Sequence, residues 1–126
     1  MPTLHDAVHA YAAAINSMSA ENFTACFAPG GELRDPVNAP VWIAPEGTTA
    51  FYNQFLPIIE KVHFRAGRIH VAGRQAAFTF VLEATGKNGA HATAEGVDIA
   101  LFDEAGKIVR LDGYWEPGPF VAALTA

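Results

Sequence analysis

Asp98 stands inside Gly96-Val97-Asp98-Ile99-Ala100-Leu101-Phe102, an otherwise apolar run that reads as a buried strand. Side chains alternate along a strand, so Asp98 shares its face with Ala94, Gly96, Ala100 and Phe102. Most of these are small and leave space in front of the carboxyl. A carboxylate in apolar surroundings must pair with a cation or take up a proton. No Lys or Arg lies near it along the strand, so the pattern points to a neutral acid able to donate to an electron-rich oxygen. The plainer alternative is an Asp at a bulge or an exposed edge, which this strand alone would favour. Asp35 ends a short strand, Glu32-Leu33-Arg34-Asp35, directly before Pro36, and so belongs at the rim of whatever the sheet encloses. Asp before Pro is equally a routine turn starter. Tyr11 lies on the inward stripe of a helix, where an ordinary core tyrosine with a satisfied hydroxyl is the alternative. Each residue alone leans structural; their joint presence is the signal.

The elements that must position these three follow from periodicity. Leu4, Val8, Tyr11 and Ile15 form one stripe of a first helix, for which Pro2 and Thr3 are suitable starters. Ser19 reads as the N-cap of a short second helix carrying Phe23, Cys26 and Phe27 inward, ended by Pro29-Gly30-Gly31. An irregular loop over residues 36–44 holds Val41, Trp42 and Ile43. Pro45 starts a third helix bearing Phe51, Tyr52 and Phe55, closed by Pro57. Segments near 60–72, 75–86, 91–102 and 107–115 alternate and are separated by turn signals, Asn88-Gly89 among them. Helices followed by a four-strand meander predict an α+β fold with the helices on one face of the sheet. Gly96 and Gly113 are possible bend points, and residues 120–124 read as an apolar tail packed across the domain or on a partner.

The rest of the chain excludes other classes. Its 126 residues suit one domain, spanning 1–126, and 51% hydrophobic with 17% charged residues is a globular composition. The net charge of −5 and the scattered basic residues give no reason to expect nucleic acid. No apolar run approaches membrane-spanning length, no signal peptide is evident, and the single Cys26 suits a reducing cytoplasm. His5 and His9 have zinc-compatible spacing, yet they face away from the apolar stripe and lack a neighbouring Glu. No Gly-rich phosphate loop or G-x-S-x-G element is present, so neither a metal nor a cofactor is expected.

Three stretches carry a family resemblance: Leu33-Arg34-Asp35-Pro36 with Ala50-Phe51-Tyr52, Val97-Asp98-Ile99 with the hairpin from Phe102 to Ile108, and Gly113-Tyr114-Trp115. From the first helix through Trp115 the chain resembles the Δ5-3-ketosteroid isomerases, within the wider nuclear transport factor 2-like and SnoaL-like superfamily. The resemblance implies a cone, a curved antiparallel or mixed sheet wrapped around three N-terminal helices. It implies that Asp35 is the proton-shuttling base and that Tyr11 and a protonated Asp98 form the oxyanion hole, a logic established for such isomerases. Phe27 stands where some members have a second supporting tyrosine, while Tyr52 is kept, so the expected network behind Tyr11 is a single Tyr52 contact. Phe51, Tyr52, Phe55, Phe80, Phe102, Leu111 and Trp115 are candidate walls of a steroid slot, for which ordinary core packing is the alternative. The implied activity is cofactor-independent movement of a Δ5 double bond to Δ4 in 3-oxo steroids. The implied assembly is a cytoplasmic homodimer through the outer sheet face, where Val97, Ile99 and Leu101 lie. Competing readings are a dehydratase or polyketide-type cyclase on the same fold, the former signalled by His63 or His91 converging on Asp35, and a non-catalytic binder of hydrophobic metabolites.

Overall fold

A computed structural model describes residues 3–126; Pro2, expected to start the first helix, lies outside the described residues. Helix α1 (Leu4–Asn16) is capped by Thr3, whose hydroxyl accepts from Asp6 N at 3.0 Å while the Asp6 carboxylate accepts from Thr3 N at 3.2 Å. This reciprocal pair satisfies two of the amides that a helix start leaves free. Val8 and Tyr11 are buried on the inward stripe, as the spacing predicts. Helix α2 (Ala20–Thr24) has the expected Ser19 cap, which accepts from Asn22 N.

Here the chain departs from expectation. Cys26 and Phe27 do not ride on α2, because strand β1 (Phe27–Arg34) starts at Phe27, opposite Ile108, and Ile108 N donates to Cys26 O. Pro29-Gly30-Gly31 therefore makes an irregularity within β1 instead of ending a helix. A side chain on Gly31 would stand 2.6 Å from Ile108 O and 2.8 Å from Ala28 O, and Gly30 has φ +80°, so glycine is required at both.

The loop after β1 contains a two-residue strand, β2 (Trp42–Ile43), and leads to helix α3 (Glu46–Asn53), which buries Thr48, Phe51 and Tyr52. The meander follows as β3 (Ile59–Ala72), β4 (Gln75–Gly86), β5 (His91–Phe102) and β6 (Ile108–Tyr114), close to the predicted bounds. The six strands form one curved sheet in the order β2-β1-β6-β5-β4-β3. β1 runs parallel to β6 and all other pairs are antiparallel, which realises the mixed α+β fold expected from the sequence.

The residues after Trp115 form a fourth helix, α4 (Pro117–Thr125), so the apolar tail packs across the domain in helical form. Its prolines sit in the first turn, where missing amides do no harm. Phe120 and Leu124, one turn apart, are buried and join Ile59, Ala84 and Ala92 in a second small core. The main core lies under α1, α2 and α3 around Tyr11, Phe23, Leu33, Phe78 and Leu111. On the outer face Val97, Ile99, Val109 and Tyr114 are exposed. Among the described residues, no helix is long and apolar enough to cross a membrane.

Candidate active site

Asp98 points from the inner face of β5 into the protein and is only 2% exposed. Its strand neighbours are Phe78 on β4 and Gly113 on β6. Asp35 arrives from the other direction, one residue past the end of β1, at the edge of the same space. Gly113 is the position where the two carboxyls meet. A methyl built on it would stand 2.7 Å from Asp35 Oδ1 and 3.2 Å from Asp98 Oδ1. The absent side chain is therefore what lets both acids approach one point. Tyr11 reaches that space from α1, tilted or edge-on to Phe23, Phe27, Phe64 and Phe78.

Electrostatics separate the two acids. Burial, with a further push from Asp35, raises Asp98 well above the ordinary carboxylate range. Among the described residues, no cation forms an ion pair with it, so the proton stays on. Burial also raises Asp35, to about 6, and the indole N–H of Trp115, which donates to Asp35 Oδ1, holds it down. Near neutral pH the site thus holds one ionised and one protonated carboxyl. Tyr11 is raised well above its usual value by burial first and then by the nearby carboxyls, and stays a phenol.

Tyr11, Asp35 and Asp98 line one cavity of about 80 Å³, walled otherwise almost entirely by apolar and aromatic side chains. Of the expected slot residues, Phe51, Tyr52, Phe55, Phe80 and Trp115 line it. Phe102 and Leu111 do not. They lie beyond Asp98 toward the filled end of the sheet, at 2% and 0% exposure, and belong to the main core. The cavity runs the other way along the strands, to Ile59, Val62, Leu82 and Phe120.

The expected Tyr52–Tyr11 contact is also corrected. The Tyr52 hydroxyl donates to Ile15 O near the end of α1, a carbonyl that also accepts from Met18 N at 3.4 Å. Tyr11 therefore rests on aromatic packing.

Sequence reasoning assigned Trp115 a packing role and missed its hydrogen bond to Asp35, because a tryptophan past a strand end carries no mark of its donor direction. Val62 and Phe64, like Phe80 and Leu82, are two apart on neighbouring strands, so their shared inward face was available from the alternation.

The histidines are elsewhere. His63 and His91 are exposed and line no part of this cavity, and His5 and His9 are exposed on α1. Among the described residues, no group of three or more His, Cys, Asp or Glu is placed to hold a metal ion.

A mixed sheet folded over helices, with its polar groups gathered in one inner hollow, defines the class. The chain belongs to the SnoaL-like domain family, which matches residues 8–111. A protein from Nocardioides simplex named steroid Delta-isomerase is 30% identical over 115 residues, covering 91% of each chain. Among solved structures, a Catenulispora acidiphila protein with a ketosteroid isomerase-like fold superimposes with TM-score 0.83 at 19% identity, over 98% of this chain and 95% of that one. SalBIII, an epoxide hydrolase/cyclase-like enzyme of pyran ring formation in the polyether salinomycin, gives 0.80 at 19% identity, over 90% of each. At such identities these two likenesses concern the fold alone.

Proposed function

We propose that the protein is a 3-oxo-Δ5-steroid Δ-isomerase that needs no cofactor. The observation carrying this reading is the convergence of one phenol, one neutral acid and one ionisable acid on a single apolar cavity. A β,γ-unsaturated ketone has an acidic C–H at C4, next to its carbonyl. Asp35, ionised above about pH 6, takes that proton. Negative charge then moves onto the ketone oxygen, forming a dienolate. Tyr11 and protonated Asp98 both donate to this oxygen. Such fixed donors are most effective where water is excluded, and loss of one typically costs on the order of 10²–10³ in rate.

Asp35 then returns the same proton to C6, and the double bond ends in conjugation with the ketone. One carboxyl serves both transfers because the flat intermediate stays bound between the aromatic walls. The Trp115 N–H keeps Asp35 oriented and tempers its basicity. The reading keeps a homodimer formed through the outer sheet face, where Val97 and Ile99 are exposed.

The test is to mix purified protein with 5-androstene-3,17-dione and follow the ultraviolet absorbance of the conjugated enone. Appearance of the enone at a rate proportional to protein supports the reading. An unchanged spectrum, together with tight steroid binding, would instead leave a binding protein.

A further inference from the structure

Helix α4 follows the span matched by the family, which stops at residue 111. It contributes Phe120 to the cavity wall and also to the second small core. The position of Phe120 along the cavity can be fixed from the strand register. Asp98 lies opposite Phe78, whereas Leu82 lies opposite Ala94 and Ala84 opposite Ala92. The Leu82–Ala94 level is four residues from Asp98, about 13 Å at the usual rise of a strand. Leu82 and Ala94 pack against the cluster containing Phe120, so Phe120 closes the cavity at the end opposite the acid pair. Leu124 sits one turn further out, where it would meet a side chain built on Gly86 at 3.1 Å, and does not line the cavity. The Phe120 ring is edge-on to Trp115, at 5.7 Å and 73°, so its place is held from two sides.

We infer that Phe120 is a specificity residue: it sets the length of the flat apolar ligand that can be held with its oxygen at Tyr11 and Asp98. This rests on the isomerase reading above for the polar end of the ligand. The occupant it selects is a compact fused-ring ketone without a bulky substituent at the end remote from the carbonyl. A ligand extended at that end must displace the Phe120 ring, and α4 with it.

The experiment uses phenols, whose hydroxyl imitates the dienolate oxygen and which undergo no turnover. The affinities of equilenin, a four-ring phenol with the substrate's own ring frame, and of estradiol 17-acetate, a four-ring phenol extended at its far end, are measured by fluorescence titration for the wild type, Phe120→Ala, Phe120→Leu and Leu124→Ala. The expected result is a shift of about tenfold or more in favour of estradiol 17-acetate, relative to equilenin, in Phe120→Ala. Phe120→Leu should shift less in the same direction, which keeps the test decisive if the alanine variant folds poorly. Leu124→Ala, which loosens the same helix, should leave the ratio at its wild-type value.

An unmoved ratio in both Phe120 variants, or an equal change in Leu124→Ala, would overturn the length-setting role. Such a failure is distinct from failure of the isomerase reading, which is judged by turnover of 5-androstene-3,17-dione. If the wild type binds neither phenol, both fall together.

Discussion

Asp35→Asn should abolish catalysis and at the same time make the protein more stable. The carboxyl is raised from 3.8 to about 6, chiefly because it is buried. A folded state that holds a proton more tightly than the unfolded chain does loses stability as pH rises. Below the unfolded value both states are protonated and no penalty exists. Between the two values the unfolded chain ionises freely while the folded one resists. Above about 6 the full penalty applies, at about 1.4 kcal/mol per tenfold in acidity, or about 3 kcal/mol as an upper bound. An asparagine has the same shape, and its Oδ1 still accepts from the Trp115 indole, so the substitution removes the charge with little disturbance. Urea unfolding of both proteins at about pH 4 and about pH 8 isolates the effect. The variant should unfold at nearly the wild-type midpoint in acid and at a clearly higher one in base, while losing on the order of 10²–10⁴ in kcat/KM. A stability gain of equal size at both pH values, or none at the higher one, would refute the reasoning.

Three other outcomes are expected. Gly113→Ala places a methyl between the two acids, 2.7 Å from Asp35 Oδ1, and should lower kcat/KM on the order of 10²-fold by misplacing them; near-wild-type kinetics would show that the site tolerates separation. Trp115→Phe removes the hydrogen bond that holds Asp35 down, so the rise of kcat/KM with pH, centred at about 6 in the wild type, should move to higher pH in a stopped-flow profile. Asp98→Asn should be milder than Asp98→Leu by about 10²-fold, because an amide still donates to the dienolate oxygen; equal rates for the two variants would remove Asp98 from the oxyanion hole.

The strands of the meander were legible because their alternation and turn residues are local. The convergence of Tyr11, Asp35 and Asp98 came from setting those local patterns beside a family likeness. What escaped depends on long-range pairing. Phe27 looks like the inward end of α2 until β6 is present to pair with it. Phe102 and Leu111 share the inner surface of the sheet with the cavity residues. Only the direction in which the hollow runs from Asp98 separates packed from lining positions. The family likeness pairs the hydroxyl of Tyr52 with Tyr11, but the carbonyl of Ile15, brought near only by the docking of α3 on α1, takes it instead. Helix α4 carried a readable sign, prolines at its start and an apolar pair one turn apart, but nothing to say where it would dock.

β5 reverses the usual arrangement of a half-buried strand around residue 98. It turns a carboxyl inward and sets Val97 and Ile99 outward. Displacing the strand by one position against its neighbours would free the acid and cover the aliphatic pair, but it would also turn Ala100 and Phe102 out to water and bring Thr93 and Glu95 inside. The pairing that keeps Phe102 covered is therefore the same one that holds the acid in the interior. The candidate site and the hydrophobic packing of β5 thus stand or fall on one alignment of that strand.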